Sequence, residues 1–340
     1  MKFFIITGGC GFIGVNLIKS LLLQEQTTVL VIDNLTSSSL TQLAKVSPYQ
    51  EIGVDELDDK DSWPRVVLLK GDIRDETLAM RACLGADAVI HLAASTGVIP
   101  SIQDPRTDCL INVIGTFNFL EAARLNGVKR FIFASSSAPL GDQFPPPIHE
   151  EMVPRPKSAY GASKLAGEGY CTAYFNSFGL ETVVLRFGNV YGPNSTHKNS
   201  VVAKFIKHIF SHEPLPIYGD GKQSRDFIYV DDLVGAILLA LKGEQIGGQI
   251  FQIASQQEHT VVEVARELNR LAEKHLGHKS PLVFEKERRG EVRRSFSDIS
   301  KAEGVLGFVP KYDLKRGLEE TFLWFLENQK EWESGSRRSQ

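Results

Sequence analysis

The sequence predicts an α/β fold, in which a Rossmann-type, doubly wound parallel sheet is followed by a smaller mixed α/β C-terminal lobe. In the first half of the chain, short apolar segments alternate with longer segments of helical spacing, as parallel strands alternate with crossover helices. After Gly192 this alternation becomes irregular. We therefore expect a first domain over residues 1–186, interleaved with the second lobe near its end, a lobe over 187–330 and a disordered polar tail over 331–340.

Short apolar segments predict strands at Phe3–Thr7, Thr28–Asp33, Val66–Leu69, Ala88–Leu92, Arg130–Ser135 and Glu181–Arg186. Apolar residues at helical spacing predict helices at Ile13–Gln24, Glu76–Leu84, Asp108–Asn126, Ala159–Phe178, Val201–Ser211, Val230–Leu241, Val261–Leu276 and Leu314–Asn328. Right-handed crossovers between parallel strands would place helices on both faces of the sheet. Residues 37–64 are an acidic, irregular insertion that we expect to be helical in part.

The composition excludes several classes of protein. The 340 residues carry a net charge of −3, with 38 basic and 41 acidic side chains, so no basic excess indicates a nucleic-acid partner. Four cysteines lie far apart and indicate free thiols in a reducing compartment, not a disulfide framework or a metal site. No apolar segment reaches the ~18 residues that a membrane span requires. We expect a cytoplasmic protein that neither crosses a membrane nor holds a metal.

A glycine-rich segment joins the first predicted strand to the first predicted helix. Gly8, Gly11 and Gly14 have the spacing that permits a tight turn, close approach of the backbone to a pyrophosphate, and helix-on-strand packing. The N-terminus of the helix, at Phe12 and Ile13, would offer free N–H groups to phosphates. This context favours a dinucleotide-binding loop over the alternative, an ordinary glycine-rich turn.

Acidic residues follow the second and third predicted strands. Asp33 lies nineteen residues after Gly14, where a carboxylate binds the adenosine ribose and repels a 2′-phosphate, so NAD is favoured over NADP. The alternative is a turn acid beside Asn34. Asp72, followed by Ile73, would accept from the adenine amino group, although Gly-Asp is also a common turn pair.

The candidate catalytic residues lie at a helix and at a strand end. Tyr160 and Lys164 are four residues apart, on one face of a predicted helix, so that a nearby ammonium would lower the pKa of the phenol. Such a pair also arises by chance on many helices. The serines 135–137 end a strand at the edge where open α/β sheets bind ligands, although any one of them suits a polar loop.

These motifs resemble the extended short-chain dehydrogenases/reductases, in particular nucleotide-sugar epimerases of the UDP-glucose 4-epimerase type. The resemblance extends from Lys2 to about Asn328. It rests on Thr7–Gly14, His91–Ala94, Ser135–Ser137, Tyr160 with Lys164, Arg186–Pro193, Gly219–Gly221 and Arg225–Leu233.

The resemblance implies an NAD-dependent UDP-sugar 4-epimerase that acts through a 4-keto intermediate. Tyr160 would take the proton of the sugar 4-hydroxyl, Lys164 would bind the nicotinamide ribose, and Ser136 would be the catalytic hydroxyl. The residues along the cofactor would include Leu92, Ala93 and Ala94. The substrate-binding residues implied in the second lobe are Asn189 and the Arg225/Arg288 clamp at the diphosphate, Val202 and Tyr218 at the uracil, and Glu291 and Ser295. For the arginines, the alternative is a surface ion pair with Asp226, Glu287 or Glu291.

Three departures from the family pattern affect the expected activity. Ala138-Pro139-Leu140 replaces a segment that usually ends in Tyr, which would change a wall of the site. Related dehydratases carry an Asp-Glu pair, and decarboxylases a Ser-Glu pair, where this sequence has Ser137-Ala138. The small Ser295 stands where a bulky Tyr is frequent, so we expect a wide pocket.

Three readings of the activity therefore remain open. A 4-epimerase is favoured, while the absence of a carboxylate at Ala138 disfavours a dehydratase or decarboxylase. A non-catalytic dinucleotide sensor on the same fold is disfavoured because Ser136, Tyr160 and Lys164 are all retained. The sequence does not decide whether the sugar is a hexose, an N-acetylhexosamine or a uronic acid. Residues 97–101 only loosely resemble the loop that binds a uronate in related epimerases, because Ile99 stands in place of Arg. The resemblance of Asp108–Asn126 and Ala159–Phe178 to the family's dimer helices implies a homodimer.

Overall fold

A computed structural model describes residues 2–142, 145–287, 293–330 and 332. The strands are β1 Lys2–Thr7, β2 Thr27–Asp33, β3 Gln50–Ile52, β4 Val66–Lys70, β5 Ala88–His91, β6 Arg130–Ser136, β7 Glu181–Phe187, β8 Asn189–Tyr191, β9 Leu215–Tyr218, β10 Ser224–Tyr229, β11 Gln249–Ile253, β12 Glu258–Thr260, β13 Leu282–Glu285 and β14 Arg294–Ser295. The helices are α1 Phe12–Leu21, α2 Leu40–Val46, α3 Glu76–Ala82, α4 Val98–Gln103, α5 Pro105–Cys109, α6 Gly115–Leu125, α7 Ala159–Phe178, α8 Val201–Phe210, α9 Val230–Lys242, α10 Val261–Leu276 and α11 Leu314–Glu327. The expected tail lies outside the described residues, apart from Trp332.

The main sheet confirms the predicted Rossmann-type fold. Its strand order is β11-β7-β6-β5-β1-β2-β4-β3, and all neighbouring pairs are parallel. The chain order reverses between β1 and β5, so the carboxyl ends at Thr7 and His91 form the switch point where such sheets bind ligands.

Apolar side chains cover both faces of this sheet. Every residue of β2 is buried, as expected for a central parallel strand between two helical layers. On one face α1 packs against α9, and on the other α3 packs against α6. A third apolar cluster joins α8, α10 and α11 to β9 and β10 and forms the body of the C-terminal region. Among the described residues, no helix combines the length and the apolar character needed to cross a membrane.

Three details of the fold differ from the sequence prediction. The insertion contributes the short edge strand β3 as well as helical turns. β11, from the second half of the chain, pairs with β7 and extends the main sheet. The predicted continuous helix Asp108–Asn126 is instead α5, a π-helical turn at Leu110–Ile114, and α6.

Candidate active site

The glycine loop is built for close backbone approach. Gly8 has φ +69°, and a Cβ there would lie 2.8 Å from the backbone nitrogen of Ala93, on the neighbouring strand end. A Cβ on Gly14 would lie 2.5 Å from the carbonyl oxygen of Gly9, so only glycine lets α1 pack this closely on the loop. Each of these positions therefore requires glycine for a separate reason.

The start of α1 fits a pyrophosphate. Its N-cap is Gly11, which gives no side-chain cap, and no acidic residue lies in the first turn. The first-turn N–H groups of the helix therefore remain available to an anion, at the positive end of the helix dipole. Phe12 is 6% exposed and packs in the core, and Ile13 is partly buried there, so these two residues would serve a cofactor through their backbone.

Asp33 is held at the strand end by three donors. Its carboxylate accepts from the backbone N–H of Cys10 (3.0 Å) and of Leu35 (2.9 Å) and from the hydroxyl of Ser38 (2.8 Å). The side chain therefore fixes the glycine loop relative to β2 and also organises the turn that follows. Its role at the ribose stays a prediction.

The acid after β4 has partners within the chain. Both oxygens of Asp72 bond the Arg74 guanidinium, at 2.9 and 2.7 Å, and Asn34 donates to one of them. The Arg74 hydrogen bonds lower the pKa of Asp72 to about 2. Ile73 is 6% exposed and lies against Gly115. These contacts are those of a turn acid, and the adenine contact stays a prediction.

A chain of hydrogen bonds runs beneath the switch point. The N–H of Ala93 donates to the Thr7 hydroxyl (3.2 Å), which lies 3.0 Å from His91 Nδ1. On the other side of the ring, His91 Nε2 lies 3.2 Å from the Thr116 hydroxyl, which donates to the carbonyl oxygen of Asn112. The Thr116 hydroxyl donates its only hydrogen to Asn112, so it must accept from His91. The neutral ring therefore donates from Nε2 and accepts at Nδ1 from the Thr7 hydroxyl.

His91 is therefore a neutral structural link between β1, β5 and α6. It is fully buried, and burial, together with the positive charge of Lys164, lowers its pKa to about 3. This chain aligns the ends of β1 and β5, where Leu92, Ala93 and Ala94 leave the sheet half-buried. Leu92 and Ala93 lie beside Gly8, and the contact of the three residues with the cofactor stays a prediction.

Helix α7 carries Tyr160 and Lys164. Ser158 caps the helix by accepting from the N–H of Gly161 at 3.1 Å. Lys164 is 3% exposed, and its Nζ donates to the carbonyl oxygen of Ala134 at 2.7 Å, over the ring of Phe133. Burial lowers the pKa of Lys164 to about 8, although the charges of Asp108 and Glu168 oppose this.

The expected lowering of the Tyr160 pKa is not found. Burial raises the pKa to about 12; a hydrogen bond with Ser136 opposes this shift, and the negative charge of Asp108 adds to it. The Lys164 ammonium donates to the carbonyl oxygen of Ala134 on β6. Burial and the charge of Asp108 therefore favour the neutral phenol of Tyr160. The nicotinamide ring of NAD⁺ carries a positive charge and would favour the phenolate when bound nearby.

The serines at the end of β6 have different hydrogen-bond partners. Ser135 is buried and donates to Glu168 Oε1 at 2.5 Å. Ser136 hydrogen-bonds Tyr160 and accepts from the N–H of Ala138 at 3.2 Å. Ser136 is thus the serine that contacts the tyrosine. Leu140, where the family usually has Tyr, is fully buried, and the expected change in a wall of the site stays a prediction.

Three of the residues implied at the substrate lie on one small sheet. Asn189 is exposed on β8, which pairs with β10, and Arg225 of β10 is opposite Ser295 of β14. The carboxylate of Asp226 accepts from Ser255 N and Oγ, Gln256 N and Ser297 N. These four donors occupy Asp226, which argues against an ion pair between it and Arg225.

The other residues implied at the substrate are less closely grouped. Tyr218 is half-buried at the end of β9, with the Lys204 ammonium 5.6 Å from its ring centre. Val202 is 2% exposed and packs in the C-terminal core, so a uracil would contact little of it. Arg288 and Glu291 lie outside the described residues.

A polar network behind Tyr160 and Lys164 was missed at the sequence level. The amide of Asn112 donates to Asp108 (2.9 Å) and to the hydroxyl of Ser163 (3.1 Å). Asp108, Asn112 and Thr116 are four residues apart in an otherwise apolar segment. That polar stripe at helical spacing is the signal that would have revealed the network.

Comparisons with known proteins agree with this geometry. The model of the NAD dependent epimerase/dehydratase family matches residues 4–254. The putative UDP-glucose 4-epimerase of Methanocaldococcus jannaschii is 33% identical over 328 residues, which cover 95% of this chain and 98% of that protein. A dTDP-glucose 4,6-dehydratase of an Actinoplanes species is 31% identical, with 96% and 99% covered. The crystal structure of Thermotoga maritima UDP-glucose 4-epimerase with UDP-glucose superimposes with a TM-score of 0.85, at 32% identity, covering 96% of this chain and 100% of that one.

The fold, the glycine loop and the Tyr160–Lys164 pair define an extended short-chain dehydrogenase/reductase. The chain belongs to the NAD dependent epimerase/dehydratase family, whose members act on nucleotide sugars. NAD is its cofactor. The family includes both epimerases and dehydratases, so membership alone leaves the reaction to be decided by the site.

Proposed function

We propose that this chain is a UDP-sugar 4-epimerase that inverts C4 through a 4-keto intermediate. The observation that carries the proposal is the residue at position 138: the backbone N–H of Ala138 donates to Ser136, the partner of Tyr160, and its side chain is a methyl group without a carboxylate. Related dehydratases have a glutamate at this position, which elimination of water requires. Transfer of one proton and one hydride in each direction requires no such carboxylate.

Each catalytic side chain has a defined task in this reaction. Ser136 would hold the sugar 4-hydroxyl beside Tyr160, whose phenolate accepts the hydroxyl proton. When bound, NAD⁺ would supply the acceptor for the C4 hydride and, once reduced, the donor that gives it back to C4, so that the cofactor is regenerated in each turnover. After the 4-keto sugar has rotated so that its opposite face is turned to the nicotinamide site, Tyr160 would return the proton to the C4 oxygen. Lys164, fixed by its bond to Ala134, would contribute the positive charge that favours the phenolate.

We also propose that residues 187–330 bind the nucleotide sugar and that Ser295 leaves a wide sugar pocket. Arg225 and Asn189, on adjacent strands, would bind the diphosphate, where a guanidinium forms strong bidentate bonds. Ser295, opposite Arg225, offers only a hydroxymethyl group. Space beside it would admit an N-acetyl group as well as a hydroxyl.

A homodimer is the third part of the proposal. Leu110, Ile114 and Phe117 are 37%, 43% and 37% exposed on the surface before and within α6. They adjoin Tyr170 and Phe178 of α7, which are 40% and 55% exposed; the rings of Phe117 and Tyr170 are 5.6 Å apart. Such a contiguous apolar patch is typical of a subunit interface, and two copies would form a four-helix contact.

The test is incubation of the purified protein with UDP-glucose, UDP-N-acetylglucosamine and UDP-glucuronate in separate reactions, with the products resolved by chromatography. We expect the C4 epimer of at least one sugar and no consumption of added NAD. The Tyr160→Phe variant should lose turnover and keep its NAD. Tyr49→Phe, at a position between α2 and the edge strand β3, is the control and should keep full turnover. A 4-keto-6-deoxy sugar or a pentose as the product would overturn the proposal.

A further inference from the structure

Asp108 is a buried acid for which the proposed mechanism has no task. It lies on α5, and its side chain is 2% exposed. One oxygen, Oδ2, accepts from the Asn112 amide at 2.9 Å; the same amide donates to the Ser163 hydroxyl at 3.1 Å, and that hydroxyl donates to the carbonyl oxygen of Tyr160. The other oxygen, Oδ1, is buried and has no hydrogen-bond partner among the described residues. A carboxylate buried with an unsatisfied oxygen is costly, so its presence calls for an explanation.

The position of Asp108 supplies that explanation. Helix α5 packs against α7, and the Asn112 amide links Asp108 to Ser163, the residue directly before Lys164 and three after Tyr160. The carboxylate is therefore close enough to act electrostatically on both catalytic groups. Its negative charge raises the pKa of Tyr160 and also that of Lys164.

The other ionisable groups around the pair are already compensated or neutral. Glu168, one turn beyond Lys164, is bound on both oxygens by Arg186. His91 is neutral, because burial lowers its pKa to about 3. Burial keeps the thiol of Cys171 protonated by raising its pKa above the usual range. Burial raises the pKa of Asp108, while the positive charge of Lys164 opposes that shift. Among the described residues facing the pair, Asp108 is the acid with no cationic hydrogen-bond partner of its own.

We infer that Asp108 is a positioning residue that sets the charge balance of the Tyr160–Lys164 pair and holds Lys164 in its ammonium form. This inference rests on the proposed function of that pair. Lys164 is buried, and burial alone favours its neutral form. A neutral amine could not stabilise a phenolate, so a nearby buried anion preserves the charge that the proton transfer requires.

The inference has a specific signature in the pH profile. Removing the negative charge of Asp108 should lower the pKa of both Tyr160 and Lys164, by about one unit each, as is typical of a nearby charge acting on a buried group. The acidic limb of kcat, which reports formation of the phenolate, should therefore move to lower pH. The alkaline limb, which reports loss of the ammonium proton, should move in the same direction.

The experiment compares the wild type with Asp108→Asn, which has nearly the same shape but no charge. The matched control is Asp104→Asn, at the exposed N-cap of the same helix, where asparagine caps equally well. We expect both limbs of the Asp108→Asn profile to move by about one pH unit to lower pH. Asp108→Glu should restore the wild-type limbs, and Asp104→Asn should leave them unchanged. A lower rate with unmoved limbs would overturn the inference, because a purely structural role predicts that outcome.

A second readout separates this inference from the proposed function. Isotope-labelled tyrosine allows the phenol of Tyr160 to be titrated by NMR, with its signal assigned through its loss in Tyr160→Phe. The Tyr160 pKa should fall in Asp108→Asn even if no tested sugar is epimerised. If Asp108→Asn does not fold, Asp108→Ser keeps an acceptor for Asn112 and removes the charge. An unchanged Tyr160 pKa in the folded neutral variant contradicts the inference, whereas absence of epimerisation by the wild type contradicts only the proposed function.

Discussion

The guanidinium of Arg186 on β7 donates to both carboxylate oxygens of Glu168 on α7, at 2.8 and 2.7 Å. Both side chains are 2% exposed, and Ser135 of β6 donates to the same carboxylate. These hydrogen bonds therefore connect α7 to β6 and β7, one helical turn after Lys164. They fix the position of the catalytic face of the helix relative to the sheet. Because both charges are buried, each depends on the other for compensation.

Loss of one charge from this pair should destabilise the fold severely. Glu168→Gln leaves the Arg186 charge buried without an anion, and we expect the free energy of unfolding to fall by about 3–5 kcal/mol. Urea unfolding followed by circular dichroism measures the loss. The control is Glu181→Gln, whose ion pair with Arg130 is 39% exposed on the acid side and should cost at most about 1 kcal/mol. Equal losses for the two variants would show that burial of the pair is unimportant.

The buried His91 should make stability depend on pH. Its pKa is about 3 in the folded protein and 6.5 as an unperturbed side chain, so the unfolded chain takes up the proton first as pH falls. The contribution of neutral His91 to the free energy of unfolding is fully present above pH 6.5. It is lost as pH falls from 6.5 towards about 3, by about 1.4 kcal/mol per pH unit.

Comparison with a neutral variant isolates this contribution from that of the acids. His91→Gln keeps a donor and an acceptor for Thr116 and Thr7 but does not titrate. The difference in unfolding free energy between the wild type and His91→Gln should narrow as pH falls below 6.5. A difference that is constant between pH 7 and about 5 would contradict the low pKa.

The glycine loop can be tested with a matched pair of substitutions. Gly8 and Gly85 have similar backbone angles, φ +69° and +71°, but a Cβ at Gly8 meets the backbone of Ala93 while one at Gly85 meets nothing within 4 Å. Gly85→Ala should cost only the left-handed strain, about 1–2 kcal/mol. Gly8→Ala should cost more and should also release NAD, because the loop must shift away from Ala93. Retention of NAD by Gly8→Ala, measured by absorbance after gel filtration, would refute the assignment of this loop.

The proposed dimer depends on the exposed apolar patch. Phe117→Arg places a charge in its centre, next to Tyr170, and should convert the dimer to a monomer because burial of an unpaired charge is costly. Sedimentation velocity measures the change. Leu23→Arg, at a position 85% exposed after α1, is the control and should leave the dimer intact. A wild-type protein that sediments as a monomer would refute the proposal directly.

Local signals explain why much of the fold was predictable. Helix α7 was predicted to the residue at both ends, because Ser158 caps its start and Gly179, with φ +70°, ends it. The six predicted strands, which correspond to β1, β2 and β4–β7, could be recognised because each is largely buried on both faces and is bounded by polar residues or glycine. At the site, the glycine spacing and the Tyr160–Lys164 interval depend on local geometry, which a sequence displays directly.

Features that depend on tertiary contacts were not predictable. β3 has only three residues and owes its place to pairing with β4, and β11 joins β7 from more than sixty residues away along the chain. The raised pKa of Tyr160 arises from burial and from Asp108 on a separate helix. The position of Asp108 beside Ser163 follows from the packing of α5 against α7, which helical periodicity alone does not specify.

The width of the sugar pocket provides the last prediction. Ser295 is half-buried and lies opposite Arg225, so a larger side chain there would fill space beside a substrate held by that arginine. Ser295→Tyr should lower kcat/KM for UDP-N-acetylglucosamine by at least about tenfold, because the acetyl group loses its space, and should change the value for UDP-glucose much less. Ser300→Tyr, at an exposed position five residues later, controls for the added aromatic ring and should affect neither sugar. Equal losses for the two sugars in Ser295→Tyr would place this residue at the nucleotide or in the scaffold, since only a contact beside C2 distinguishes an acetamido group from a hydroxyl.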